Sequence, residues 1–187
     1  MIRARARLTT GVLVPLASLG LALPAATESE NTDFGPLVRP AAERLAVADQ
    51  VAAAKYESGD PVEAPARERE VLAEVSEHAE RAGLDPAVAT EVFRDRIEAN
   101  KLVQRCLISR WESGTTAPPR GHPDMDDVRD RTDEINQGLL DTLLGTKSVR
   151  HDPGCRAELT RTSIRAASRL DALHARALGR GLHSVCR

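Results

Sequence analysis

The run RIEANKLVQ, Arg96 to Gln104, places Asn100 and Gln104 on the same side as Phe93, Ile97, Leu107 and Trp111 if it is helical, at about 100° per residue. A buried amide costs free energy unless its donors and acceptors are satisfied, so two amides on one apolar face call for partners. Charged partners stand on neighbouring segments. Arg44 and Lys55, eleven residues apart, flank a stripe of Leu45, Ala48 and Val51. Arg67 flanks Val71 and Val75, with Glu68 turned further inward; Arg129 flanks a later stripe, with Asn136 one to two turns beyond. For any one of these residues the ordinary explanation suffices, because long cations snorkel from stripe edges and amides pair across helices to fix register. For the set it does not. Several like charges buried beside a single Glu are costly unless an anion completes the site, so the pattern describes a pocket for a small polyanion.

Other chemistries find little support. No Ser or Cys is teamed with a His as nucleophile and base, and no Gly-rich phosphate loop occurs. The five histidines, His78, His122, His151, His174 and His183, show no metal-ligand spacing with the cysteines and read as surface or packing residues. Neither a cofactor nor a metal is expected.

The elements that must position these groups are helical. The only aromatics in 187 residues are Phe34, Tyr56, Phe93 and Trp111, so aliphatic residues fill the core, which favours closely packed helices in an all-α single domain. Stripes predict a first helix over 37–57, a second opening near Pro65 and ending at Gly83, a third over 86–111, and a fourth after the Gly/Pro-rich loop 112–124. Asp85-Pro86 starts the third.

The N-terminus belongs to a different class. MIRARAR is followed by the apolar run Gly11 to Leu23 and by small residues, which reads as a secretory signal over 1–26, cleaved near Ala25 to Thr27. The run is shorter than the roughly 20 residues a membrane anchor needs. A secreted or periplasmic mature chain follows, with no membrane association after cleavage, and with the domain spanning 35–187. Of 26 basic residues the signal removes three arginines, leaving 23 against 28 acidic residues, a net charge of −5. Such a balance argues against a nucleic-acid partner.

Export makes a Cys155–Cys186 disulfide the natural pairing and leaves Cys106 as a small buried thiol. One unbroken helix would hold the two cysteines roughly 46 Å apart, against about 5.5 Å for a disulfide. The chain must therefore double back near Ser168 to Asp171, with Ser168 a candidate N-cap, giving two short antiparallel helices and about six in all.

AERLAVADQVAAAKY (Ala42 to Tyr56), the Arg67-Glu68 pair in PARERE, IEANKLVQ and VRDRTDEIN (Val128 to Asn136), in that order, resemble the secreted all-helical chorismate mutases over about residues 35 to 187, including the C-terminal cysteine pair. The resemblance implies rearrangement of chorismate to prephenate without cofactor, metal or covalent intermediate. By the same resemblance Lys55 and Gln104 donate to the ether oxygen, with Arg67 also catalytic. Arg44, Arg67 and Arg129 clamp the two carboxylates, Glu68 accepts from the ring hydroxyl and Asn100 lines the pocket. Arg129 comes from the same chain, so each subunit of an implied homodimer owns a complete site. Some relatives carry an acid shortly before the Arg67 position, where this sequence has Ala64. The competing reading is a non-catalytic exported helical protein that binds dicarboxylates or serves interactions; it would keep the arginine clamp without needing both Lys55 and Gln104.

Overall fold

The computed structural model describes residues 33–121 and 124–186. The signal-peptide reading of 1–26, its cleavage point and His122 lie outside the described residues. Six helices follow in order: α1 Gly35–Ser58, α2 Pro65–Ala82, α3 Pro86–Glu112, α4 Met125–Gly145, α5 Cys155–Ala167 and α6 Ala172–Gly181. No strand occurs among the described residues. The all-α expectation holds, and each of the first four helices begins and ends within a few residues of its stripe.

Local chemistry sets these boundaries. Asp85 and Asp124 cap α3 and α4, accepting from the backbone N–H groups of Ala87 and of Asp126 and Asp127, which satisfies donors that have no partner inside the helix. Gly83 ends α2 at φ 74°, where its N–H and that of Leu84 turn back to the carbonyls of the last turn. A side chain at that φ would be strained. The cap of α6 departs from the sequence reading. Asp171, not Ser168, accepts from the N–H groups of Leu173 and His174. Ser168 instead closes α5, its hydroxyl donating to the Arg165 carbonyl.

α3 is the axis of the bundle, packed against α1, α2 and α6, while α4 lies on α1. Phe34, Leu37, Phe93, Val103, Leu139, Leu143, Leu178 and Val185 form the centre of one continuous core. α6 can approach α3 closely because Gly181 sits at the contact, where a Cβ would lie 3.3 Å from that of Ala99. The Cys155–Cys186 disulfide forms with Cα atoms 5.8 Å apart, joining the start of α5 to the chain beyond α6. Closing a loop of this length stabilises by about 3 to 4 kcal/mol in the chain-entropy model. Cys106 is only partly buried at the core edge, because its side chain falls on the flank of α3 and not on the stripe.

One histidine is a packing residue with a defined role. His174 is buried and bridges two helices, its ring nitrogens 2.6 Å from Asp171 Oδ2 and 2.9 Å from Asp49 Oδ1. Burial alone would lower its pKa, but the two carboxylates outweigh burial and hold it above the ordinary value.

Candidate active site

α1, α2, α3 and α4 enclose a cavity of about 400 Å³, within the usual range for small-ligand sites. Arg44 and Lys55 enter from α1, Arg67 and Glu68 from α2, Asn100 and Gln104 from α3, Arg129 and Asn136 from α4. Every site residue expected from the sequence therefore lines one pocket. Val51, Val62, Val71, Phe93, Ile97, Met125 and Val128 supply apolar wall between the charges.

The polar groups are arranged unequally. On the floor, Arg44 Nη1 donates to Asn100 Oδ1 at 3.0 Å, and Asn100 Nδ2 donates to the Arg96 carbonyl at 2.7 Å. Asn100 thus aligns the guanidinium rather than only lining the wall. Burial lowers the Arg44 pKa to about 10, opposed by the charge of Asp133, so it remains cationic at neutral pH. Gln104 is buried, and its Oε1 has no hydrogen-bond partner among the described residues. A half-turn about the terminal bond exchanges its oxygen and nitrogen, so the amide is available to a ligand as donor or acceptor.

Lys55 is anchored by the loop between α1 and α2, its ammonium donating to the carbonyls of Pro61 and Val62 at 2.9 and 3.0 Å. Burial lowers its pKa, against the opposing charges of Asp60, Glu63 and Glu68.

The rim differs. Arg67 is mostly exposed and pairs along its own helix with Glu70 at 3.3 Å and Glu74 at 3.9 Å. Arg129 is exposed and pairs with Asp126 at 2.7 Å. Glu68 accepts from Lys101 Nζ at 3.1 and 3.2 Å and from the Ala64 N–H at 3.4 Å, so the backbone at Ala64 helps to hold this carboxylate. Lys101 also meets Glu63 and Glu98. Burial would lower its pKa, but hydrogen bonds to Glu98 and Glu68 outweigh that and raise it.

Sequence reasoning missed Arg96, Lys101, Thr132 and Asp133, which also line the cavity. Thr132 lay on the α4 stripe, and its hydroxyl is used on the Val128 carbonyl. Arg96 and Lys101 sit in the opening run itself, but only the packing of α6 and α2 shows which way they matter. Among the described residues no cluster of His, Cys, Asp and Glu is arranged to hold a metal ion, and no helix is long and apolar enough to cross a membrane.

A family model for chorismate mutase type II matches residues 37–105, which carry six of the seven expected ligand-binding residues, all but Arg129. The secreted chorismate mutase of Mycolicibacterium smegmatis is 36% identical over 177 residues, covering 93% of this chain and 98% of the relative. The chain belongs to the secreted chorismate mutases. The secreted chorismate mutase of Mycobacterium tuberculosis is 33% identical over 178 residues, covering 94% and 89% of the two chains. Crystal structures of chorismate mutases from Burkholderia phymatum and Burkholderia thailandensis superpose with TM-scores of 0.78, at 33% and 34% identity. Each covers 82% of this chain, and 96% and 100% of the solved chains respectively. The chorismate mutase fold thus accounts for the helices that build the pocket.

Proposed function

We propose that this pocket binds chorismate and accelerates its rearrangement to prephenate. Breaking the C–O bond builds negative charge on the ether oxygen, while the new C–C bond forms in a compact, chair-like conformer. Lys55 and Gln104 donate to that oxygen. The anchored ammonium supplies the larger electrostatic effect, and the Gln104 amide fixes direction. Arg44, set by Asn100, grips one carboxylate from the floor. Arg67 and Arg129 close on the substrate from the rim, exchanging exposed pairs with their own helices for a substrate carboxylate. Glu68, held by Lys101 and the Ala64 N–H, accepts from the ring hydroxyl. The reading requires no proton transfer and no covalent step.

The observation that carries this function is the meeting of an anchored ammonium, a half-buried guanidinium and a buried, unpartnered amide in one cavity. A dicarboxylate-binding protein would need the arginines alone. Purified mature protein added to chorismate should speed the loss of its ultraviolet absorbance; no acceleration by a protein whose circular dichroism is helical would overturn the reading.

The protein acts outside the cytoplasm, as the relatives' own name says of them, and its disulfide suits an oxidising compartment. Arg129 lining the pocket of its own chain supports a self-contained site in each subunit of a homodimer. Light scattering during gel filtration tests the dimer.

A further inference from the structure

Arg96 is 4% exposed and lies behind Arg44, lining the cavity floor together with Asn100. One of its donors, Nη2, reaches the Pro40 carbonyl at 3.3 Å, while Nε and Nη1 are buried without a partner. Its neighbour Asp95 does not neutralise it, because that carboxylate is spent on Arg180 and Ser184. α6 covers the side chain: a Cβ on Gly181 would lie 3.8 Å from Arg96 Cα and Cγ. Burial and, to a smaller extent, the adjacent charge of Arg44 together lower the Arg96 pKa to about 9. Two guanidinium charges thus share the floor, and neither forms an ion pair with a carboxylate among the described residues; the opposing charge that acts on Arg44 is that of Asp133.

One long hydrogen bond to a carbonyl is poor compensation for a buried cation, and an apolar or neutral side chain of similar length would fill the same space without that cost. An anion in the cavity changes the balance, since attraction between charges is strong where water is excluded. We propose that Arg96 is a positioning residue that sets the affinity of the site for its dianionic ligand: a second buried positive charge behind Arg44 that acts through Arg44 and Asn100 without touching the reacting atoms. The main-chain carbonyl at position 96, which any residue would supply, orients Asn100, and Asn100 orients Arg44 in front of the Arg96 guanidinium. Charge and geometry therefore point at the same carboxylate. The inference rests on the chorismate reading only for the identity of the ligand.

The test compares the wild type with Arg96→Met, Arg96→Gln and Arg96→Lys by three measurements: KM and kcat for chorismate, the urea midpoint without ligand, and the rise in that midpoint given by prephenate. Met and Gln should raise KM about tenfold with kcat within about threefold, and should nearly abolish the prephenate shift. Their ligand-free midpoints should equal or exceed the wild type, and Lys should restore part of the affinity. A KM within twofold of the wild type in Met and Gln overturns the proposal. So does a lower ligand-free midpoint in both, which would assign Arg96 to packing. If the wild type fails to convert chorismate, the catalytic reading falls, and the prephenate shift still decides: present in the wild type and lost in Arg96→Met, it supports the role of Arg96; absent in the wild type, it overturns it.

Discussion

The floor and the rim of the pocket hold the same kinds of residue under different physical conditions. On the floor, Arg96, Asn100 and Gln104 are buried and Arg44 is half-buried, joined in a chain of hydrogen bonds or left unpartnered. At the rim, Arg67 and Arg129 are in water and paired with acids three residues away on their own helices. An exposed pair of this kind is worth 0 to about 1 kcal/mol and is readily exchanged. The floor is therefore organised without a ligand, and the rim has exposed pairs that a ligand could exchange. Lys55 belongs with the floor because loop carbonyls hold it.

This contrast can be broken in order of effect. Lys55→Ala should lower kcat by about 100- to 1000-fold in steady-state assays, with a helical circular dichroism spectrum retained, since it removes a donor to charge that exists mainly in the transition state. A change confined to KM would move Lys55 from the floor to the rim in function. Gln104→Ala should cost about 10- to 100-fold in kcat. Because an amide needs no proton to donate, wild-type kcat should also stay nearly level between pH 5 and 7; a steep fall there would assign the rate to a titrating group. Arg67→Ala and Arg129→Ala should act chiefly on KM, by about three- to tenfold, because each already competes with water and a local acid. If either lowered kcat as far as Lys55→Ala, the rim would be as organised as the floor.

The smallest effect should lie outside the pocket. His174 has a raised pKa between Asp49 and Asp171, so the stability it contributes is fully present below its ordinary value of about 6.5 and lost as pH rises through its folded value. Urea midpoints of the wild type should fall over that window, and those of His174→Gln should not, with kcat and KM alike in the two proteins.

Much of this could be read from residue order. Asp85, Pro86 and Gly83 mark helix ends by local chemistry, and the seven expected ligand-binding residues do meet because helical spacing places them on stripe edges facing one another. What stayed hidden depends on contacts distant in sequence. Arg96 carries no local signal of burial; it is buried because α6, more than 70 residues later, lies over it, while Asp95 pairs with Arg180 and Ser184. Side-chain direction was also illegible. Both Arg67 and Arg129 sit at positions facing the pocket, yet each turns toward an acid of its own helix, a choice among rotamers that spacing does not decide. The α6 cap went to Asp171 over Ser168 for a similar reason, since both types cap well and only the backbone angle at the turn separates them.

Lys55 has three N–H bonds, and the carbonyls of Pro61 and Val62 accept two of them. An ammonium is ordinarily a nearly spherical charge that attracts an oxygen from any side. With two vertices of its tetrahedron occupied, this one has a single remaining axis, and a substrate oxygen must approach along it. The loop after α1 thereby converts a point charge into a vector, which fixes the direction from which an oxygen can be met.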